Sequence, residues 1–308
     1  ESLYDLYAIS KDENHLKAAR LFHENKFLNT WANNHNNLAG NHANATIPKA
    51  TAFVKEYLVS GDEKYLSAAK NFWQMVVSDH SYSNGGNSWR EHFEEPGVIY
   101  ECCDEKEDLP SETCNMYNMI KLSQYLYEIT GEGKYIDYIE RALLNGIMGS
   151  IYGNGGKTYY QYMYFNARKI YHGKVSGFWC CTGTGMENFA KVVEAIYHEK
   201  DENTVQYNVF ISSTYTDGTF AADMVCEDEH TEITVTAGGS KTLALRVPYW
   251  SENPVLKVNG EAVEVKANAD GYVLLTREWK AGDTIEYDTP YKGWVIKAQD
   301  NEDMFSIM

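Results

Sequence analysis

One local pattern recurs in the first half of the chain and commits that half to paired helices. Leu6-Tyr-Ala-Ile-Ser10-Lys-Asp-Glu-Asn-His-Leu16, Tyr57-Leu-Val-Ser60-Gly-Asp-Glu-Lys-Tyr-Leu66 and Leu126-Tyr-Glu-Ile-Thr130-Gly-Glu-Gly-Lys-Tyr-Ile136 each read as a helix end, a polar turn and a new helix start. Apolar residues beyond the turns keep helical spacing: Leu16, Ala19 and Phe22 after the first, Leu66, Ala69, Phe72 and Trp73 after the second. Each unit is a helix pair joined by a short turn, and the set is an irregular repeat. A fourth copy opens at Val193-Glu-Ala-Ile-Tyr197 and then gives way to a different period. Stacked pairs of this kind build either a short solenoid or part of a closed ring. In a ring, inner and outer helices alternate, so the long connections gather at one mouth and can wall a pocket.

From Val205 the period drops to two. Val205, Tyr207 and Val209 alternate with polar residues, as do Ile233 and Val235, then Leu243, Leu245 and Val247. Asn259-Gly260 supplies the positive φ angles of a tight hairpin turn. Further strands are expected at Tyr272–Leu275 and Thr284–Tyr287, with Lys280-Ala-Gly-Asp turning between them. Short strands at this spacing read as an antiparallel β-sandwich. The chain is thus expected to be α+β and multidomain, helical over 1–203 and a sandwich over 204–308.

The charged residues narrow the partners. Lys+Arg 27 against Asp+Glu 44 gives a formal charge of -17, which argues against a nucleic-acid backbone or an anionic membrane surface as partner and favours a neutral ligand. Twenty-four tyrosines and 7 tryptophans serve either as ordinary core and groove lining or as platforms for sugar rings. No apolar run is long enough to span a bilayer. The 6 cysteines include two vicinal pairs, poor material for a disulfide framework. Thiolate chemistry or metal binding in a reducing setting is the expectation, with a cytoplasmic location ahead of a periplasmic or secreted one, and the even cysteine count leaves disulfides open.

Four stretches could carry chemistry. Gly177-Phe-Trp-Cys-Cys-Thr-Gly-Thr-Gly-Met-Glu187 places two thiols before a Gly-Thr-Gly turn. Glu112-Thr-Cys114 offers a carboxylate and a third thiol, with Ser111 expected to cap a helix whose first turn holds Glu112. Glu112, Cys114, Cys180 and Cys181 together form a ligand set that suits zinc. Cys102-Cys103, in an acidic run, is a rival pair, and spacing does not decide which joins Cys114. Asn41-His42-Ala-Asn44-Ala-Thr-Ile-Pro48 puts a histidine before a helix expected to take Pro48 in its first turn. Gly85-Gly-Asn-Ser88-Trp-Arg-Glu91-His92-Phe93 is a glycine-rich turn bearing a carboxylate. Read alone, His42 is a capping or surface residue and Glu91 a solvated acid on a flexible loop.

Three of these segments, in order, resemble the signatures of glycoside hydrolase family 127, bacterial β-L-arabinofuranosidases: Gly85-Gly-Asn-Ser-x-x-Glu91-His-Phe, Glu112-Thr-Cys114-Asn-x-Tyr-Asn-Met and Phe178-Trp-Cys-Cys-x-Gly-Thr-Gly-Met-Glu-Asn188. Leu245-Arg-Val-Pro-Tyr-Trp250-Ser is similar to a downstream segment of the same family. The resemblance implies part of an (α/α)6 helical barrel followed by the sandwich. It implies a zinc on Glu112, Cys114, Cys180 and Cys181, with Cys180 as nucleophile and Glu91 as the acid that protonates the leaving oxygen. His42 would contact the sugar and Tyr164 would lie near the anomeric centre. The substrate would be an arabinose-containing oligosaccharide or glycan, cleaved with retention. Glu91 is expected to gain acidity control by burial beside Trp89 or Phe93.

The chain also departs from that family. Only the later half of the six-pair ring is expected here, cut at both ends, so a chain of this length is expected to be poorly active by itself. Ala167 stands where the family carries Pro, and Cys102-Cys103 has no counterpart in the pattern. Two other readings stay open: a noncatalytic carbohydrate-binding or interaction protein with a structural zinc, and a same-family hydrolase for another plant-wall sugar. The sequence leaves the oligomeric state open.

Overall fold

Three helix-to-helix turns are built with one device. In a computed structural model describing residues 1–103, 109–153, 155–163, 167–173, 175–177 and 179–308, helices α1 (Ser2–Ser10) and α2 (Glu13–Leu21) are joined through Lys11 at φ 57. Helices α4 (Ala43–Ser60) and α5 (Glu63–Asp79) are joined through Gly61 at φ 68, and α6 (Thr113–Thr130) and α7 (Lys134–Arg141) through Gly131 at φ 72. In each turn the Ser or Thr hydroxyl accepts the amide two residues on: Asp12 at 3.1 Å, Asp62 at 3.2 Å and Glu132 at 3.2 Å. Asp12 and Asp62 then cap the following helix by accepting from Asn14 and Lys64. Helix α3 (Asn25–Ala32) lies between the first two pairs, and α8 (Cys180–Ile196) completes the eight α-helices of the described residues.

The chain divides into two compact units: Glu1–Leu126, Arg141–Phe189 and Ile296–Ser306 form one, and Tyr127–Glu140, Ala190–Val295 and Ile307–Met308 the other. The first unit packs aromatic rings from α3, α4 and α5. Trp31 is fully buried, with Phe72 at 4.5 Å, Phe27 at 5.0 Å and Phe53 at 5.7 Å between ring centroids. Glu56 is buried on α4 because Arg20 of α2 grips both its oxygens and Tyr4 of α1 donates to it at 2.7 Å.

The second unit is a sandwich. One sheet runs β1 (Tyr197–Asp201), β2 (Thr204–Tyr207), β6 (Gly239–Arg246), β9 (Tyr272–Trp279) in spatial order. The other runs β3 (Ser213–Thr216), β4 (Ala221–Glu227), β5 (His230–Ala237), β10 (Thr284–Asp288), β7 (Val255–Val258), β8 (Glu261–Val263). Alternate residues of both sheets meet in one core: Val205, Leu243, Leu245, Val273 and Leu275 from the first, Met224, Ile233, Val235, Ile285 and Tyr287 from the second. The pairing is antiparallel except between β2 and β6, which run parallel. The Asn259-Gly260 turn joins β7 to β8 with φ 53 and 79, as its sequence requires. The Lys280–Asp283 turn carries the chain from one sheet to the other, since β9 pairs β6 while β10 pairs β5 and β7.

Arg246 anchors the segment Leu245–Ser251. It is 1% exposed, and its guanidinium donates to Asp137 at 2.5 Å, Glu140 at 2.6 Å and the Asn208 carbonyl at 2.6 Å. Trp250 donates to the second oxygen of Glu140 at 2.6 Å. A last hairpin pairs β11 (Val295–Lys297) with β12 (Phe305–Ile307). Within the first unit, Asp300 in its loop accepts the amides of Ile99, Tyr100 and Glu101. No helix of the described residues is long and apolar enough to cross a membrane.

Candidate active site

The N-terminal ends of alternate helices converge on one place. His42 is the residue preceding α4, Glu112 precedes α6 with Cys114 in its first turn, and Cys180 and Cys181 open α8. Helix N-termini carry unpaired amides and a partial positive charge, so carboxylates and thiolates are favoured there. One of those amides, Ala43 N–H, donates to the Glu91 carbonyl at 2.8 Å, and Phe93 N–H donates to the Asn41 carbonyl at 3.0 Å. This backbone stitching sets Glu91 beside His42, whose Nε2 lies 3.6 Å from Glu91 Oε2. It also moves the start of α4 upstream: Pro48 stands in the second helical turn rather than the expected first.

The loop that carries Glu91 is strained. Ser88, Arg90 and Glu91 have φ of 79, 46 and 71, and Ser111 across from them has φ 59. Non-glycine residues in this region cost energy and persist only where the surroundings over-determine them. Here Ser111 N–H donates to the Ser88 carbonyl at 3.2 Å and Arg90 N–H to that of Leu109 at 3.1 Å. Gly86 permits the approach, since a Cβ on it would come within 2.0 Å of Ser111 Oγ. Ser111 is thereby turned inward to Asn84 and does not cap α6; Glu112 takes the position before the helix instead of its first turn.

Glu112, Cys114, Cys180 and Cys181 each present one ligand atom, and these atoms all lie within 4.8 Å of one another. Glu112 is 1% exposed and is held by Ser88 Oγ and Asn115 Nδ2, each donating to Oε2 at 3.2 Å. Cys114 and Cys181 are buried and share a hydrogen bond at 3.4 Å, while Cys180 is exposed. The two cysteines do not sit at a turn. Gly183 and Gly185 lie inside α8, and neither has a positive φ; Gly185 makes room for the Lys157 side chain, which a Cβ would meet at 2.5 Å.

Tyr159 ties the cluster to Glu91. Its hydroxyl lies 2.9 Å from Cys180 Sγ and donates to Glu91 Oε1 at 3.2 Å. The main chain at Tyr160 pairs with Glu112, and Gln161 N–H donates to the Ser111 carbonyl at 3.1 Å, which fixes this segment against the start of α6.

The charges favour a bound cation. Burial, then the negative charge of Glu91, raises the Glu112 carboxyl above its ordinary range. The shared sulfur hydrogen bond, then burial, pushes Cys114 up, and the same bond pulls Cys181 down. Burial raises Cys180 against the opposing hydrogen bond from Tyr159. Glu112, Cys114 and Cys180, each raised and crowded around Cys181, resist ionising until a positive ion neutralises them. On a tetrahedral zinc two sulfur donors stand roughly 3.8 Å apart and a sulfur and an oxygen donor roughly 3.5 Å, given Zn–S near 2.3 Å and Zn–O near 2.0 Å. Cys114 Sγ lies 3.4 Å from Cys181 Sγ and 3.8 Å from Glu112 Oε1, and all four ligand atoms lie within 4.8 Å of one another, so the set fits such an ion once the side chains draw together.

Of the residues singled out in the sequence, Glu91, His42, Glu112, Cys114, Cys180 and Cys181 come together. Tyr164 lies outside the described residues. The rival cysteine Cys102 is buried apart from the cluster with its thiol toward the Val98 carbonyl, and the Cys103 side chain lies outside the described residues. Glu91 differs from expectation: its side chain is 40% exposed rather than enclosed by Trp89 and Phe93. Tyr159, Ser88 and Asn115 also join the site; Ser88 and Asn115 lie inside two of the signature segments, whereas for Tyr159 the run Tyr159-Tyr160-Gln-Tyr162 is the one signal the sequence offers. All five cysteines with described side chains are free thiols.

The chain matches known proteins in family and in fold. The family described as "β-L-arabinofuranosidase, GH127 catalytic domain" matches residues 1–194, and "β-L-arabinofuranosidase, GH127 middle domain" matches residues 204–291. A curated relative, the non-reducing end β-L-arabinofuranosidase of Bifidobacterium longum subsp. longum, is 29% identical over 262 residues, covering 73% of this chain and 37% of the relative. A solved GH127 β-arabinofuranosidase superposes with TM-score 0.82 at 21% identity, covering 99% of this chain and 54% of that one. A GH127 β-L-arabinofuranosidase from Geobacillus stearothermophilus T6 gives TM-score 0.80 at 20% identity, covering 99% and 56%. These structures share the fold of helical pairs followed by a sandwich, and the chain spans little more than half their length. With the catalytic and middle domains matched in order, the chain belongs to the GH127 β-L-arabinofuranosidase family.

Proposed function

We propose that this chain carries the catalytic centre of a zinc-dependent retaining glycoside hydrolase. It removes terminal β-L-arabinofuranosyl, or closely similar furanosyl, residues from an arabinose-containing oligosaccharide or glycan. Cys180 is the nucleophile and Glu91 the general acid and base. The observation that carries this reading is the hydrogen-bonded line Glu91–Tyr159–Cys180 at the exposed edge of a four-donor cluster.

Zinc held by Glu112, Cys114, Cys180 and Cys181 would keep its sulfur ligands deprotonated at neutral pH. The Cys180 sulfur attacks the anomeric carbon as the glycosidic C–O bond breaks, and Glu91 gives its proton to the departing oxygen. A thioglycosyl group on Cys180 results. Ionised Glu91 then takes a proton from water as the water oxygen attacks the same carbon and the C–S bond breaks. Two inversions give net retention. A single hydroxyl spans acid and nucleophile, which accords with the short separation of retaining enzymes (about 5–5.5 Å) better than with the roughly 6.5–9.5 Å gap of inverting ones.

Tyr159 suits both protonation states. With Glu91 protonated and Cys180 ionised, the Glu91 O–H donates to the Tyr159 oxygen and the Tyr159 O–H donates to sulfur. With the protons reversed, the thiol donates to Tyr159 and Tyr159 to the carboxylate. His42, whose Nε2 lies beside the other Glu91 oxygen, would hold a sugar hydroxyl.

Three of the four donors are buried, as in a closed structural zinc site, and that arrangement favours the noncatalytic alternative. The exposed fourth donor and its hydrogen bond to Tyr159 favour the enzyme. The test is hydrolysis of an aryl β-L-arabinofuranoside by the zinc-loaded protein and its Cys180→Ser variant. A loss of about 10³-fold or more is expected; near-normal turnover with zinc still bound rejects the assignment.

A further inference from the structure

A cavity of about 370 Å³ opens beside the catalytic line, and of the described residues given roles above, Tyr159 alone lines it. Its other walls include Tyr160, Tyr162, Ile170, His172 and Trp179. The rings form a continuous surface: Tyr159 lies 4.4 Å from Tyr160 and 5.7 Å from Trp179, and His172 lies 4.4 Å from Trp179, centroid to centroid. None of the described lining residues is a carboxylate, a lysine or an arginine. Trp179 is 56% exposed and Ile170 62% exposed. A large indole left to water at the mouth of a site is a platform for a flat apolar face, and the size falls within the roughly 300–1,000 Å³ of small-ligand sites.

The sugar that reacts must touch both Cys180 and Glu91, so it rests at the hydroxyl end of Tyr159. A terminal sugar has neighbours in one direction only, through the oxygen that leaves. A sugar-sized cavity that adjoins the catalytic line but holds none of its acids or thiols therefore receives what lies beyond that oxygen. The geometry points to a leaving-group subsite here, an aromatic platform for one uncharged sugar residue, with Trp179 and Tyr160 stacking on its C–H faces. This rests on the glycosidase reading above, which fixes which end of the substrate reacts.

The test is calorimetric binding to the zinc-loaded full chain carrying Glu91→Gln, so that the ligand survives the measurement. Two ligands are compared: methyl β-L-arabinofuranoside, which cannot fill the cavity, and a β-linked L-arabinofuranobiose, which can. Ile170→Trp fills the cavity from an exposed position, and Trp179→Ala removes the platform. The disaccharide is expected to bind at least tenfold more tightly than the methyl glycoside. Each variant is expected to weaken the disaccharide about tenfold and the methyl glycoside less than twofold. Equal affinity for the two ligands, equal losses on both, or unchanged disaccharide binding in both variants overturns the subsite. Hydrolysis by the unsubstituted protein is scored separately. The expected binding pattern with no hydrolysis rejects the glycosidase reading alone, and hydrolysis without the pattern rejects the subsite alone.

Discussion

The Tyr159 hydroxyl stands 2.9 Å from the Cys180 sulfur, and the same hydroxyl reaches Glu91 at 3.2 Å. One O–H cannot donate to both at once, so its direction records which partner is ionised. Tyr159→Phe removes the bridge and keeps the ring against Tyr160 and Trp179. The expected result is a fall in kcat of about 10–100-fold, the scale of losing one preorganised donor, with zinc content unchanged. Steady-state kinetics beside metal analysis checks this. An unchanged kcat would leave Tyr159 as a wall residue only.

The metal reading separates the cysteines. Cys114 sits between Glu112 and Cys181, whereas Cys102 is buried elsewhere in the same unit. Cys114→Ala is expected to abolish stoichiometric zinc and lower the unfolding temperature, because the remaining donors stay buried without a neutralising ion. Cys102→Ala is expected to keep the full zinc content. Elemental analysis of the dialysed proteins decides the matter, and equal zinc loss in both would dissolve the distinction.

How much of the fold and the site is legible in the sequence depends on whether the cause is local. The Ser10, Ser60 and Thr130 turns are legible because each is satisfied by its own neighbours: a hydroxyl, a left-handed residue and an acidic cap or its analogue. Asn259-Gly260 is legible for the same reason. The Gly-Thr-Gly after Cys181 reads as a turn but is helix: Gly185 faces Lys157, which is 28 residues away in sequence, whereas Gly183 borders open space. A glycine inside a helix costs about 1 kcal/mol against alanine, so propensity argues for the wrong conformation. Ser111 reads as a cap and is not one, because its left-handed φ is imposed by Ser88 across the loop. Tyr159 carries no motif at all; only the fold brings it to Cys180. The parallel contact of β2 with β6 is likewise a matter of chain order in space, which residue alternation does not encode.

His80 gives a pH signature. It is 4% exposed, accepts from Asn36 Nδ2 at 3.0 Å, and packs against Phe93, and burial pushes its pKa down to about 4 from an ordinary 6.5, with Asp79 opposing. Between those values the unfolded chain holds a proton that the folded chain does not. The neutral-His80 contribution is therefore fully present above pH 6.5 and is lost as pH falls toward 4, to a total of ~3 kcal/mol. His80→Gln should remove that slope from the stability–pH curve while leaving the slope from the carboxylates. Urea unfolding at a series of pH values, taken as the difference between wild type and variant, measures it; parallel curves would refute the prediction.

Arg246 should be the costliest single residue to truncate in the second unit. Its removal leaves Asp137 and Glu140 without their cation, and Glu140 is only 5% exposed. Breaking one side of such a buried pair costs about 3–5 kcal/mol. Arg246→Ala is expected to fall in that range, and Arg246→Lys to recover part of it while losing the two-pronged geometry. Denaturant unfolding followed by tryptophan fluorescence reads the difference. A loss below about 1 kcal/mol for Arg246→Ala would mean that water replaces the guanidinium without penalty.

Cys180 can be distinguished from the other sulfurs by chemistry as well as by mutation. It is exposed, whereas Cys102, Cys114 and Cys181 are 3%, 0% and 2% exposed. Alkylation follows both access and thiolate character. Partial desolvation of its sulfur raises Cys180 although the residue is exposed, so in the metal-free protein it should react slowly; a bound dication, by favouring the thiolate, acts in the opposite direction. Iodoacetamide treatment of the zinc-loaded protein is expected to modify Cys180 before the three buried cysteines, with hydrolysis lost in proportion to that one label. A β-L-arabinofuranoside present during treatment should slow both, since the sugar would occupy the space in front of the sulfur. Peptide mapping by mass spectrometry, timed against residual activity, gives the answer. Labelling of Cys114 or Cys181 ahead of Cys180 would contradict the exposed position of the nucleophile. Full labelling of Cys180 with activity intact would remove it from the mechanism.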